Sequence, residues 1–543
     1  MAESIRTLSV TLTTELQQLS RLTFSAAVID RMEEKEEEGE MTYRKLDNVV
    51  IVGGDAVGWM TALAAKKVLP TSNITVLHDG QRFSGATTTT PNFVFFLDSV
   101  GIPVSKLVAE AEGTIKTGSR YTGWAGDESS FYHGFTLASD YNLAALDNPD
   151  FMSNTSILWA MQESMPSSLD LVNFSWLTAE KNKITFIHNP EVAKEQFVVD
   201  PIFRYQSLGN FAVHFDTDKF VSMLAQIGTE RGISSQITGI ADVSRNEHGE
   251  ICQISLENGQ TLDCDFVFIS SESFTQDSSD WQSYKEIFPV DRYVEYSSEQ
   301  KEEIKPYTEV LAKSLGWTIS IPLMNSIKSS YFYSSSSGGD SEELASGLEE
   351  HRIDSGYTRQ SWTNNWVHVG SASHRIEPLA GLSLALSTVA VRDVLSDQHK
   401  MISRDPRYAI EYNNRHSDRC EQVASFTRLF YCGNSTDNEF WNKFRSIDDS
   451  LVSLKSFFRS IEFRLPEYTD FVGKIFALED FVQISSGLRL FDRELCERIC
   501  EANYVEDRLS RYKEMYAGHL NDSLQQCVSH REFVDNLRKQ SIV

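Results

Sequence analysis

The sequence predicts an α/β fold organised around a parallel sheet, and three features carry that prediction. Val49-Val50-Ile51-Val52 is an apolar, β-branched run that leads through Gly53-Gly54-Asp55-Ala56-Val57-Gly58 into an Ala- and Leu-bearing helical stretch, Trp59–Val68. Ile74-Thr75-Val76-Leu77 and Phe266-Val267-Phe268-Ile269 have the mostly apolar character of strands buried on both faces. Val367-His368-Val369-Gly370 then reads as one more sheet strand, leading into a helix from Leu382 to Leu395. The first stretch is the strand–turn–helix start of a dinucleotide-binding unit, whose turn aims helix N-terminal N–H groups at a pyrophosphate. Its glycine pattern is broken. Asp55 stands at the second glycine of G-x-G-x-x-G, adding bulk and negative charge where an anion should sit.

The remaining elements follow in chain order. Leu12, Leu16 and Leu19 fall at helical spacing, and Glu33–Glu38 reads as a solvated acidic linker before the first strand. His78 follows the second strand, with Asp79 next, at the place where an acidic residue normally binds an adenosine ribose. Phe83–Pro91 is a polar loop and residues 92–100 are helical. Gly113–Tyr121 alternates like a strand and carries Lys116, which taken alone reads as a surface lysine. Phe211–Asp216 opens a helix through Lys219–Thr229, and Ser235–Phe268 alternates like a small antiparallel meander. Gly316–Leu323 is a strand ending at a proline, Ser334–Gly339 is a Ser/Gly loop, and 400–543 reads as helical throughout. His133 and His214 read as structural histidines, Glu377 as the residue holding the turn before Pro378, and Trp317, Trp362 and Trp441 as core or pocket wall.

Composition narrows the function classes. The chain has 543 residues, 41% hydrophobic and 23% charged, which is the balance of a globular protein. A net charge of −27 repels a nucleic-acid backbone, so no nucleic-acid partner is expected. No apolar run approaches the roughly 18 residues of a membrane span, and the N-terminus lacks a basic region followed by an apolar core. The seven cysteines contain no C-x-x-C pair and no zinc-ligand spacing, so they read as reduced thiols in a cytoplasmic protein, with no metal site.

Several motifs then line up in order. Val50–Met60 is similar to V-I-V-G-G-G-x-A-G-W-M, Thr114–Arg120 to T-F-K-x-G-x-R, and Val213–Asp216 to Y-H-F-D. Trp317–Pro322 is similar to W-x-W-x-I-P, and Asn365, Gly370, Ala372 and Glu377–Gly381 to N-x-x-x-x-G-x-A…E-P-L-E-S. Each is weak alone. As an ordered set from about residue 47 to 445, the chain resembles flavin-dependent halogenases of the tryptophan-halogenase type.

The resemblance implies a Rossmann-like, p-hydroxybenzoate-hydroxylase-like FAD-binding module with an inserted substrate-binding region and a helical C-terminal part. The boundaries would be 1–46 for an N-terminal extension, 47–400 for the FAD module with interleaved substrate elements, and 401–543 for the helical region. It implies FAD, supplied reduced by a separate flavin reductase, and a halide as co-substrate. Flavin hydroperoxide and halide would give hypohalous acid, which a lysine transfers to an electron-rich aromatic small molecule. Lys116 stands at that lysine, which overturns its reading as a surface residue. Gly53, Gly54, Ala56, Gly58, Trp59 and Asp79 stand at the dinucleotide positions; Gly370, Pro378 and Gly381 at the flavin ring; and the backbones of Leu382 and Ser383 at the halide. Homo-oligomerisation is left open.

Five positions depart from the family pattern: Asp55; His78; Ala380-Gly381 in place of Glu-Ser; Ile319 in place of the second signature Trp; and Ser270–Ser273 in place of Asp-x-x-Gly. In tryptophan halogenases the replaced Glu polarises the electrophile or takes the ring proton, and the replaced Trp is thought to keep the flavin from oxygenating substrate directly. Two alternatives therefore stay beside the halogenase reading. One is a flavin monooxygenase, which Ile319 permits. The other is a catalytically degenerate halogenase-fold protein with a binding or scaffold role, which Asp55 and Ala380 favour.

Overall fold

A computed structural model of the chain describes residues 43–126, 128–135, 174–184, 211–271, 280–301, 303–337, 348–446, 451–467, 470, 474–502 and 527–541. The N-terminal helix and acidic linker expected before residue 43 lie outside them, as does the end of the Ser/Gly loop.

The apolar run after Asn48 forms β1 (Asn48–Val52), with Val49 to Val52 all buried. It lies between β2 (Asn73–His78) and the strand Phe266–Ile269, parallel to both. Trp366–His368 and Trp362–Thr363 extend the sheet on one side and Ser234–Ile237 on the other, giving six strands. Ser234–Ile237 therefore pairs parallel with β2 instead of opening the expected meander. The meander itself is Ile240–Arg245, Ile251–Leu256 and Thr261–Asp263. Helix α1 (Ala56–Val68) covers the sheet, as the Ala/Leu pattern predicts.

Two glycines of the first turn are required by packing alone. Gly53 has φ +128°, and a Cβ there would lie 2.2 Å from Ser270 Oγ. A Cβ on Gly58 would lie 2.1 Å from the Gly53 carbonyl, so only glycine lets α1 start this close to β1.

The polar loop 83–91 contains an unexpected short strand, β3 (Ala86–Thr88), before the helix Pro91–Ser99. The lysine segment is two strands in two sheets. β4 (Thr114–Lys116) joins β3 on either edge of β5 (Ala212–Asp216), all antiparallel. Gly118–Thr122 instead enters a seven-stranded sheet, beside Thr308–Lys313 on one edge and Ser130–Gly134 on the other. Thr117 is the crossing point, its N–H held by the Pro306 carbonyl at 2.8 Å.

The seven-stranded sheet shares one apolar core with the C-terminal helices, including α2 (Leu382–Leu395) and α3 (Pro406–Gly433). Trp124, Trp317 and Trp441 are fully buried there, each contributing apolar burial on the scale of a few kcal/mol. The C-terminal part is not helical throughout: Val528–Ser529 pairs with Lys183–Ile184 before the last helix, α4 (His530–Ser541). No single helix among the described residues is long and apolar enough to cross a membrane. The helices Pro91–Ser99 and Val104–Glu110 pass that test only as a pair bent by 103°, and they bury Phe93, Phe96, Leu97, Leu107 and Val108 in the core.

Candidate active site

The site is built where the three-stranded sheet meets the turn that starts α2. Lys116 ends β4 and is 1% exposed. Its Nζ donates to the Thr89 carbonyl at 3.0 Å and lies 5.3 Å from the centre of the Phe135 ring. Among the described residues no carboxylate compensates the burial, and desolvation lowers its pKa from 10.5 to about 7.

Thr89 is itself fixed to β5 by two bonds to Val213. Its Oγ1 donates to the Val213 carbonyl at 2.8 Å and accepts the Val213 N–H at 3.0 Å. A buried polar chain links this sheet to the seven-stranded one: Thr88 Oγ1 to Thr308 Oγ1 at 2.8 Å, Thr308 Oγ1 to His214 Nε2 at 2.9 Å, and His214 Nδ1 to Thr114 Oγ1 at 3.1 Å. His214 is fully buried and its pKa is driven well down by desolvation, then by Lys116 and His530. It is a satisfied structural histidine, in keeping with its reading from sequence.

The α2 turn touches this framework from the other side. Glu377 precedes the single turn Pro378–Ala380, and Gly381, with φ +70°, passes the chain into α2. A Cβ on Gly381 would lie 2.8 Å from the Thr88 carbonyl. The end of β3, one residue before the lysine's acceptor, and the turn before α2 are thus in direct contact. No side chain caps α2, so the N–H groups of its first turn carry the helix dipole without a side-chain anion. Leu382, which is buried, and Ser383 open that turn, with the Ser383 carbonyl accepting from His374 Nε2 at 3.0 Å.

Glu377 is fully buried and accepts the Tyr431 hydroxyl proton at 2.6 Å, while the Trp317 indole N–H donates to the same hydroxyl at 2.8 Å. Burial raises the Glu377 pKa from 4.5 to about 8, against the opposing pull of Tyr431 and Arg428. The first tryptophan of the signature is therefore tied through Tyr431 to the residue that heads the turn. Ile319, two residues on, is buried in the same core.

The dinucleotide end differs. Asp55 is the N-cap of α1, and its Oδ1 accepts the Gly58 N–H at 2.7 Å. The Trp59 ring turns inward against Gly228, leaving only its backbone at the turn. His78 closes against Gly54, where a Cβ would lie 2.6 Å from the His78 Cβ. Asp79 is exposed, and its carboxylate accepts the N–H of Gln81 at 3.0 Å. Gly370, with φ +57°, packs over Val57 of α1. The first turn of α2 and the positive-φ bend at Gly370 thus present backbone free of a capping side chain, as an anionic dinucleotide requires, whereas at the α1 turn the Asp55 carboxylate occupies the Gly58 N–H.

Residues 48–501 match the tryptophan halogenase family. The chain belongs to that family. Its relatives include the tryptophan 7-halogenase RebH of Lentzea aerocolonigenes, 23% identical over 73% of this chain and 78% of RebH. The tryptophan 6-halogenase SttH of Streptomyces toxytricini is 23% identical over 76% and 84%. Among solved structures, the fold is shared with the flavin-dependent halogenase BrvH from Brevundimonas sp. BAL3, with TM-score 0.74, 22% identity, and 91% of this chain and 99% of that one covered. It is shared also with Tar14, a tryptophan C-6 chlorinase from taromycin biosynthesis, with TM-score 0.77, 20% identity and coverage of 91% and 100%. Family and fold indicate a flavin-dependent halogenase, an oxidoreductase, with the FAD-binding α/β fold of these enzymes.

The sequence pointed to Lys116 and to the α2 turn, which the structure joins through Thr88 and Thr89. It did not single out Thr308, Tyr431 or Phe135 as neighbours of the site, nor the tie from Trp317 to Glu377. For Thr88 and Thr89 the signal was a run of four β-branched residues, Thr87–Thr90, which favours a strand over a loop.

Proposed function

We propose that this chain halogenates an electron-rich aromatic small molecule, using reduced FAD from a separate reductase and a halide, with Lys116 delivering the halogen. The observation that carries this reading is a lysine amine with 1% exposure, one fixed carbonyl acceptor and a pKa near 7, a combination that a structural lysine does not need. Bound reduced flavin would supply the two electrons that activate oxygen, and oxygen the oxidising equivalent that converts halide to hypohalous acid.

The chain's own residues would do the rest. The backbones of Gly53, Gly54, Ala56, Gly58 and Trp59 would face the diphosphate, Asp79 the adenosine end, and Gly370, Pro378 and Gly381 the flavin ring. The uncapped amides of Leu382 and Ser383 would hold the halide. Near neutral pH Lys116 is available in both protonation states. As ammonium it donates a hydrogen bond to the oxygen of hypohalous acid. As amine it takes the halogen, forming N–X and releasing water, and is restored when the ring carbon takes the halogen and loses its proton. Water exclusion around Lys116 makes either interaction count more than in solvent. Ala380 cannot accept the ring proton, so the substrate would be a phenol or indole activated enough to yield it to water.

The test is an assay of the purified chain with a flavin reductase, FAD, NADH and chloride or bromide against a panel of indoles and phenols, read by mass spectrometry. Halogenated product that disappears in Lys116→Met supports the reading; equal product with and without Lys116 sinks it. The Asp55–Gly58 bond favours a second reading, a halogenase-fold protein that binds without flavin. Absence of FAD binding in a fluorescence titration with oxidised and reduced cofactor would select it.

A further inference from the structure

Among the described residues, β4 pairs with β5 along one edge only. On its other edge the Ile115 N–H, one residue before Lys116, is accepted by His530 Nε2 at 3.0 Å. His530 Nδ1 in turn meets the Ile304 carbonyl at 2.9 Å, which requires the proton on Nδ1 and leaves Nε2 as the acceptor. The imidazole therefore replaces a missing neighbour strand, bridging β4 to the segment before Thr308–Lys313. His530 is fully buried. It is the first residue of α4, reached through the pairing of Val528–Ser529 with Lys183–Ile184 and through its own N–H to the Asn182 carbonyl at 2.9 Å. Val534 on α4 is buried in the same core as Ile115 and Ile304. The family match ends at residue 501, so this contact comes from a part of the chain outside it.

We propose that His530 is a positioning residue for Lys116: the C-terminal helix locks the edge of the lysine's strand so that Nζ stays on the Thr89 carbonyl and aimed at its substrate. The proposal rests on Lys116 being the transferring group. Its physical basis is that an unpaired buried amide next to the reactive side chain costs stability and lets the strand shift. A displacement near 1 Å in a reacting group lowers turnover about 100-fold.

The full-length chain is compared with His530→Leu and His530→Gln, the latter keeping an acceptor for Ile115 and a donor for Ile304. Three readouts are taken: hydrogen exchange of the peptide containing Ile115, the rate of amine-directed labelling at Lys116, and halogenation kinetics. In His530→Leu the proposal expects faster exchange at Ile115, altered Lys116 labelling and a fall in kcat of about 100-fold with the aromatic KM little changed. His530→Gln should recover most of all three. A folded His530→Leu with unchanged exchange and labelling overturns the proposal, as does a Gln variant no better than Leu. If His530→Leu does not fold, ¹⁵N-histidine NMR of the wild-type chain decides: an Nδ1–H tautomer supports the bridge, and an Nε2–H or charged ring overturns it. If Lys116→Met halogenates normally, the transfer reading fails, while exchange and labelling still report on the His530 bridge.

Discussion

The Asp55 carboxylate accepts the Gly58 amide at 2.7 Å, at the helix end where a dinucleotide-binding turn presents its N–H groups to a diphosphate. The same contact stabilises α1 as an N-cap and places a negative charge where the proposed cofactor's diphosphate would lie. At the other helix terminus of the site, the first turn of α2 has no such side chain.

Asp55→Gly should therefore tighten FAD binding by about tenfold, through removal of like charge and release of the Gly58 N–H. Glycine is a tolerable N-cap, so the cost in folding should be only about a few tenths of a kcal/mol. Asp55→Asn keeps a cap without the charge and should fall between the two. Fluorescence titration measures all three, and equal or weaker binding by Asp55→Gly would falsify the competition.

Lys116→Met should abolish halogen transfer, by about 100- to 1,000-fold, while reduced flavin is still consumed and peroxide released. Folding should be unharmed, because an uncompensated buried amine is replaced by an apolar chain of similar length. The wild-type amine should become reactive toward acylating reagents with a midpoint near pH 7 instead of 10.5. Between those values the unfolded chain holds a proton that the folded chain has released. Stability linked to Lys116 thus rises with pH through that window, and the Met variant should lack this component. A labelling midpoint near 10 would contradict the burial argument.

Glu377 shows the opposite sign. Its pKa rises from 4.5 unfolded to about 8 folded, so the folded chain keeps a proton that the unfolded chain loses. The stability this contributes is present below 4.5 and fades as pH climbs toward 8. Glu377→Gln retains an acceptor for Tyr431 and cannot ionise. Its melting temperature relative to wild type should climb from pH 5 to 8 and then level off; a difference that does not vary with pH would count against a protonated Glu377.

Gly381→Ala tests the contact between the α2 turn and Thr88, the residue before the lysine's acceptor. With φ +70° and a Cβ 2.8 Å from the Thr88 carbonyl, alanine must strain the backbone or push Thr88 and Thr89 away. A stability loss of about 1–3 kcal/mol in denaturant titration is expected, with a larger proportional loss of halogenation than of FAD binding. Full activity at unchanged stability would show that the turn can move independently.

How much was legible depended on whether a residue's role is local. β1, α1, β2 and α2 could be read from the sequence because continuous apolar runs and helical spacing are properties of neighbours along the chain. Motif order singled out Lys116 as the candidate transferring lysine. By composition alone it read as a surface lysine, because burial is set by what packs over a residue. The split of 113–121 into two sheets was not visible, since strand alternation runs unbroken across Thr117 and only the partners on each side differ. Asp55 could be read as an obstacle, but not as a helix cap, because the cap depends on where the chain turns.

The amino-acid sequence by itself determined the family, the parallel sheet with its first turn and the helix after Gly381, and it singled out Lys116 as the candidate lysine, all of which rest on local pattern and motif order. Tertiary structure alone decided that the lysine is dry, with its pKa lowered toward 7 by burial, that Thr89 is its acceptor, that Glu377 is tied to Trp317 through Tyr431, and that His530 closes the edge of β4. These depend on desolvation and on hydrogen bonds between residues as much as 415 positions apart, which no window along the chain contains.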